Sequence, residues 1–376
     1  WKGIDVFATG DCLYPPRTDE LRELLIENDG LFHLKNDEKK FILQTEVILS
    51  TKLPSYRNRT VAHHVILFPN FESVLKMQKL MNKWQMKNTI GRPFITTKTQ
   101  SELEQKFFEI ADIHALIEII PAHVMTPDGI MGSKNMLTNI DEFYGKFTSQ
   151  IRVIETGLSA DPDMLGKIPD FSEMTMISSS DCHSAALNRV GREFTILEAD
   201  TMNYSGIISA LRNNDVFLTA EFNPAEGRYF LTGHREDKEG HSEEIFFVED
   251  APAICPVCGK KMTLGVKQRC LQLQKNQDLQ FSKRKFIHLI PLIEVIAYAF
   301  KTKNVSGRKV VECYKKIMNC FSDEISLWQS SVKQVQCSLE GKIEKTVINA
   351  ICSVINGNFN FDPAGFDGKY GQLNIF

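Results

Sequence analysis

An aspartate and a histidine two positions apart stand out in Ser178-Ser-Ser-Asp181-Cys-His183-Ser, just after the mixed apolar run 171–177. At the end of an extended strand, residues i and i+2 point the same way, so one carboxylate and one imidazole can converge on one ion. An isolated Asp-x-His is as well explained by a hydrogen-bonded turn. The case for metal rests on five further residues of ligand type near the expected strands: Asp11 in Thr9-Gly-Asp11, Glu46 in Thr45-Glu46-Val, His63, His123 in Pro121-Ala-His123, and Glu155. Each alone has a plainer role: an N-cap for Asp11, an edge charge for Glu46, a satisfied core histidine for His63 or His123. Seven such residues at the mouths of successive βα units would converge, as the loops after barrel strands do. Mixed His, Asp and Glu ligands suit zinc, manganese or iron better than magnesium alone.

The elements that must position these residues alternate in type. Strands are expected over 4–8, 40–49, 62–68, 115–121, 151–156 and 174–179. Helices are expected over 18–28, 73–86, 101–110 and 204–213. This order predicts an α/β domain with a barrel or a distorted barrel. After Glu221 the chain turns polar and glycine-rich, then reaches Cys255-Pro-Val-Cys258-Gly, the half-site turn of a zinc knuckle. From 283 onward, 287–300, 306–321 and 342–354 carry helical periodicity. The expected boundaries are 1–222 for the barrel, 223–282 for the insert and 283–376 for a helical C-terminal domain.

Composition narrows the class. The 376 residues are 43% hydrophobic and 24% charged, as in a soluble globular chain of two or three domains. No apolar run reaches the roughly 20 residues that cross a bilayer. Nine scattered cysteines without a signal peptide predict a reducing compartment, the cytoplasm. The net charge of -3 excludes a global basic footprint, so any nucleic-acid contact must come from a local patch. The chain opens on Trp1 rather than Met, and an upstream segment is expected.

The order Thr-Gly-Asp11, Thr-Glu46-Val, His63-His64, Pro-Ala-His123, Glu155-Thr-Gly-Leu-Ser-x-Asp161-Pro and Ser-Asp181-x-His183-Ser resembles the polymerase-and-histidinol-phosphatase (PHP) superfamily and, within it, the endonuclease Q family. The resemblance continues through Gly191-Arg192-Glu193, Gly233-His-Arg235, the segment Cys255 to Val266 and Gly365 to Phe376, and so covers essentially the whole chain. It implies an α/β fold built on a PHP-type distorted (β/α)7 barrel with a small zinc-binding insert and a helical C-terminal domain. The implied activity is a metal-dependent DNA-repair endonuclease that nicks 5′ of deaminated bases (uracil, hypoxanthine) or at abasic sites. Asp11, Glu46, His63, His123, Asp181 and His183 match the family's metal ligands for zinc, manganese or magnesium. Asp11, Asp181, His183 and Arg192 are the implied catalytic groups. DNA is the implied partner, with a sliding clamp by analogy and no membrane.

The chain departs from this pattern in three places. The family opens on a strand bearing His-x-His, and here the sequence begins after that point. Tyr14 stands where the family has a His, and a phenol with a pKa of about 10 is a poor substitute on zinc. Met125-Thr-Pro-Asp128 replaces a Trp-Thr-Pro-Trp motif. The knuckle also lacks a cysteine shortly after Gly233-His-Arg235. The structural zinc site is therefore expected from His234, Cys255 and Cys258, with His241 or Cys270 as further ligands. Lys134, Lys260, Lys261 and Arg269 are the expected DNA-backbone contacts. Two rival readings are a PHP-type phosphoesterase on another substrate and a catalytically decayed DNA-binding relative.

Overall fold

The structure is a computed structural model that describes residues 1–91, 93–238, 241–274 and 283–376. Positions 239–240 and 275–282 of the expected insert lie outside the described residues. Seven strands form the main sheet: β1 (Val6–Ala8), β2 (Leu25–Asn28), β3 (Leu31–Leu34), β4 (Lys40–Thr51), β5 (Thr60–Phe68), β6 (Phe94–Thr96) and β7 (Glu118–Pro121). Their order is β2-β3-β4-β5-β7, with β1 and β6 both parallel to β4.

β4 and β5 carry the site because of their side-chain alternation. Leu43, Thr45, Val47 and Leu49 are buried on one face of β4, while Gln44, Glu46 and Ile48 are half-buried on the other. On β5, Ala62, His64 and Ile66 point into the core while Val61, His63 and Val65 point away. The strands run antiparallel, with Ile48 opposite His63 and Glu46 opposite Val65. Glu46 and His63 are therefore diagonal neighbours on one face. Helices Phe71–Lys83 and Gln100–Ala111 cover the other face with Val74, Met77, Met81, Leu103 and Phe107.

Parallel β8 (Val153–Glu155) and β9 (Thr175–Ile177) form a second pair. β10 (Phe194–Leu197) pairs antiparallel with β11 (Val216–Glu221). β12 (Thr232–His234) pairs with β13 (Ile245–Phe247), β14 (Phe286–His288) runs parallel to β11, and β15 (Phe359–Phe361) pairs with β16 (Leu373–Ile375). The fold is thus mixed α/β. None of these sheets is closed among the described residues, and β4, β5 and β7 pair antiparallel instead of as successive parallel βα units.

Two expected helices are shorter than their periodicity suggests. The helix expected over 18–28 runs over Pro15–Leu24, and Leu25–Asn28 turns back on β3 as a hairpin. Asp29 and Gly30 make its two-residue turn, with φ of 53° and 75°. Positive φ at both positions matches the turn twist to the strands, and Asp-Gly is its usual sequence. Likewise 287–300 splits at Pro291 into β14 and the helix Leu292–Ala299. That helix packs with Arg308–Met318, Val332–Leu339 and Lys345–Ile355 around a second core. No helix is long and apolar enough to cross a membrane.

Glu324 joins the start of the chain to this helical core. Lys2 Nζ lies 2.7 Å from its Oε2, Tyr314 Oη donates to the same oxygen at 2.9 Å, and the Leu292 main-chain N–H donates to Oε1 at 2.8 Å. Lys2 is 9% and Glu324 2% exposed, so removing the carboxylate strands a buried ammonium. Glu324→Ala is expected to cost about 3–5 kcal/mol in urea unfolding, whereas a loss within about 1 kcal/mol would show that water reaches Lys2.

Candidate active site

Glu46 on β4, His63 on β5 and His123 just past β7 bring their ligand atoms within 4.8 Å of one another. His63 Nδ1 lies 2.8 Å and His123 Nε2 3.3 Å from the same oxygen, Glu46 Oε1. Glu46 and His63 sit within their strands, not at strand mouths as expected. His123 is held at φ 33°, and Gly157 makes room for it: a Cβ on Gly157 would fall 2.3 Å from His123 Cβ. The His123 N–H donates to Glu155 Oε2 at 2.9 Å, and its Nδ1 lies 2.7 Å from Thr126 Oγ1.

The electrostatics of this cluster ask for positive charge. Burial would push the Glu46 carboxyl up, but hydrogen bonds from His123 and His63 hold it well below the usual carboxylate range. Burial would lower His123, yet the Glu46 hydrogen bond and the charges of Glu155, Glu46 and Asp181 raise it to about 9. Burial pushes Glu155 up to about 7. A proton on His123 answers a field set by three carboxylates. A divalent cation would answer the same field through the imidazole lone pairs and the Glu46 oxygen. The donor set fits such an ion.

Asp11, Asp181 and His183 lie outside this group of three. Asp11, at φ 47°, accepts the Gly91 N–H at 2.7 Å. Asp181 senses the charges of Glu46 and His123 and sits at φ 42°, and its Oδ1 lies 3.7 Å from His183 Nδ1. The His183 side chain is 85% exposed, and its Nδ1 lies 3.1 Å from the Asp181 carbonyl oxygen.

His234, His241, Cys255 and Cys258 form a second cluster with the same mutual spacing. His241 Nε2 faces Cys255 Sγ at 3.1 Å, and His234 Nδ1 faces Cys258 Sγ at 3.5 Å. The other nitrogen of each ring sits on a main-chain carbonyl, Glu243 for His241 and Lys261 for His234. Those bonds fix the tautomers and turn the lone pairs inward, as in metal sites. Burial opposes ionisation of Cys255, but hydrogen bonds from the Cys258 and Val257 main chain bring its thiol down to about 6. Two thiols and two imidazoles make a tetrahedral zinc donor set. Cys270 is not part of it: it packs in the main core, and burial pushes it up to about 12.

A cavity of about 880 Å³ is walled by Thr126, the ring partner of His123, and by Arg192, Phe222, Arg228, Lys261 and Tyr370 among others. Lys134 lines it too, 2.7 Å from Asp128, and Lys260 is exposed on the knuckle. Arg192 is 5% exposed; its Nε donates to Ser180 O at 2.9 Å and its guanidinium lies over Phe222. Arg269 cannot serve as a DNA contact. It is 4% exposed and donates to Met131 O and Leu137 O. Arg189, which no sequence pattern singles out, lines the same cavity.

Behind the cluster, buried glutamates tie strand ends together. Thr156, after β8, donates to Glu221 Oε2 at 2.7 Å, and the Phe222 N–H donates to Glu193 Oε1 at 2.8 Å. Glu193 Oε2 and Glu221 Oε1 are buried without a partner. Burial pushes both carboxyls up, and the Glu221 charge adds to the rise at Glu193. Groups raised above the unfolded value of about 4.3 stabilise fully below it and lose that stability as pH rises through the folded value. Tm is therefore expected to fall from about pH 5 to pH 8, and Glu221→Gln to flatten that fall; a variant profile parallel to the parent's would count against it. At the second cluster, Cys258→Ser is expected to lower bound zinc by one equivalent per chain in elemental analysis.

No family model matches the chain. The uncharacterized protein YqxK of Bacillus subtilis is 26% identical over 380 residues, covering 99% of this chain and 89% of that relative. An uncharacterized protein of Methanocaldococcus jannaschii is 27% identical over 252 residues, 64% of this chain. The match takes in only 30% of that relative's length. Among solved structures, the lesion-specific endonuclease Q of Pyrococcus furiosus superposes with a TM-score of 0.82 at 27% identity, covering 100% of this chain and 88% of that one. An endonuclease Q in complex with a 27-mer duplex substrate, with an abasic lesion at its active site, gives 0.81 at 26% identity, covering 100% and 89%. The sliding clamp expected by analogy has no support in these comparisons. Along its whole length the chain is similar in fold and sequence to these lesion-specific endonuclease Q structures.

Proposed function

We propose that this chain is a metal-dependent DNA-repair endonuclease that hydrolyses the phosphodiester 5′ of a deaminated base, uracil or hypoxanthine, or at an abasic site. The observation that carries this reading is the Glu46–His63–His123 cluster, together with a cation-lined cavity whose wall includes Thr126, the ring partner of His123. Glu46, His63 and His123 would hold zinc, manganese or magnesium, and Asp11, Asp181 and His183 are the further ligands of this reading. A divalent ion in such a site acts as a Lewis acid and lowers the pKa of water.

The chain's own residues do the rest. Thr126 and Glu155 orient His123. Arg192 offers a guanidinium fork to a phosphate oxygen. Lys134, Lys260 and Lys261 grip the backbone without reading bases. The zinc knuckle supports that grip, because His234 is bonded to the Lys261 carbonyl. The cavity has room for an extruded nucleotide, and extrusion is cheapest where pairing is already weak. The strand ends that meet at His123, Glu155 and Asp181 are read as a PHP-type barrel over 1–222, followed by the insert and the helical C-terminal domain.

A second reading, a DNA-binding relative without cleavage, is favoured by the placement of Asp11, Asp181 and His183 outside the ligand group. A nicking assay on uracil-, hypoxanthine- and abasic-site duplexes with manganese or zinc separates the two. Metal-dependent nicking is expected to be abolished by chelator and reduced by at least about 100-fold in Glu46→Gln. Binding without nicking above Glu46→Gln would establish the second reading.

A further inference from the structure

We infer that Arg189 and Arg192 form a two-guanidinium site for one phosphodiester oxyanion in the cavity wall. The inference rests on the DNA-binding reading and adds Arg189 as a substrate-binding residue. Both side chains come from one compact turn after Asp181. The main-chain N–H groups of Arg189 and Val190 both donate to the Ala186 carbonyl, at 2.8 and 3.1 Å, and Gly191 takes φ 65°. The turn is pinned from outside: Leu187 packs on the helical core, and Asn188 Nδ2 donates to Glu294 Oε1 at 2.9 Å. The arginines are therefore held in place, not carried on a loose loop.

Neither guanidinium is satisfied within the protein. Arg192 is 5% exposed, yet only its Nε makes a hydrogen bond among the described residues. One face of its guanidinium lies over Phe222, 5.7 Å from the ring centre. Its terminal nitrogens are left without a partner in a side chain that lines the cavity. Arg189 lines the same cavity, and its side chain makes no hydrogen bond or ion pair among the described residues. Two other cations on this wall are already paired with carboxylates, Lys134 with Asp128 and Lys238 with Asp367.

The nearest acids do not cancel the charge. Glu193, whose charge acts most strongly on Arg192, is raised well above the usual carboxylate range by burial, burial and the Glu294 charge push Glu226 up to about 8, and burial raises Glu294. A buried, uncompensated guanidinium is costly, and two side by side cost more unless an anion joins them. Planar forks match the tetrahedral oxyanion of a phosphodiester. Asp181 feels the charges of Glu46, His123 and Arg192 together, so Arg192 lies within electrostatic reach of the same carboxylate as the metal-ligand cluster.

The test is DNA affinity against salt, measured with chelator present so that no strand is cut. The probe is a fluorescent duplex with a tetrahydrofuran abasic analogue. Removing one phosphate interaction reduces the slope of log K against log salt by about 0.9. Arg189→Ala is expected to show that reduction, whereas Arg189→Lys keeps the slope with weaker binding, having the charge without the fork. Replacing chloride by inorganic phosphate at equal ionic strength should weaken DNA binding by the parent more than by Arg189→Ala. An unchanged slope in Arg189→Ala overturns the inference. So does stabilisation of the parent by inorganic phosphate without any slope change, which would make the site one for free phosphate. Absence of DNA binding by the parent removes it altogether. Nicking of the same duplex with manganese is scored separately: a slope change without nicking keeps the oxyanion site and defeats the endonuclease reading.

Discussion

One oxygen of Glu46 receives two imidazoles, and that contact exists only if β4, β5 and β7 hold a single register. His63 and His64 show how narrow the constraint is. They are consecutive, so they face opposite sides of the sheet. His63 meets Glu46, whereas His64 is fully buried, with Nε2 2.6 Å from Tyr144 Oη, and burial lowers its pKa to about 3. A slip of one residue would send His63 into the core and strand an acceptor of that hydrogen bond on the open face. The buried alternation of Leu43, Val47 and Leu49 on β4 and of Ala62 and Ile66 on β5 opposes the slip. Packing on one face thus fixes chemistry on the other.

The surrounding structure then works to hold His123 in a backbone conformation that most residues avoid. Gly157 yields the space, Glu155 takes the N–H and Thr126 takes the ring. Glu155 ends β8 and Gly157 follows it, and β8 is in turn tied through Thr156 to Glu221 at the end of β11. The knuckle performs a parallel task farther out. Its histidines are aligned by main-chain carbonyls, one of them Lys261's, so a filled metal site would stiffen the cavity wall on which Lys261 lies.

Much of this is legible in the residues, and the misses have physical causes. Strand alternation places β4 and β5, and the 204–213 helix is where its periodicity puts it. Closure of a barrel is not legible, because alternation says which face is buried but not which strand pairs with which. Asp29-Gly30 is a readable hairpin signal, overridden by the leucine spacing of 18–28. Asp181 and His183 have the spacing of strand-end neighbours and do approach each other at 3.7 Å, but spacing alone does not say whether the pair joins Glu46, His63 and His123, and here it lies outside them. Arg269 stands in sequence as one cation in a basic stretch, yet its guanidinium caps buried carbonyls from 131 and 137, a contact across more than 130 residues. His241 is one of two candidate extra knuckle ligands because spacing alone cannot rank it against Cys270. Arg189 carries no pattern at all; its significance lies in what fails to neutralise it.

The charges around the site are arranged as two unmet demands of opposite sign. At the cluster, three carboxylates raise His123 until it takes a proton, a demand that a divalent cation would meet. At the cavity wall, guanidiniums stand beside glutamates that burial holds toward their neutral forms, a demand that an anion would meet. A phosphodiester laid between the two carries negative charge toward the arginines and toward any cation on Glu46 at once. Each interaction would strengthen the other, because the cation neutralises part of the carboxylate field that would otherwise repel the phosphate. Asp181 lies where both fields are felt, so its charge state couples them.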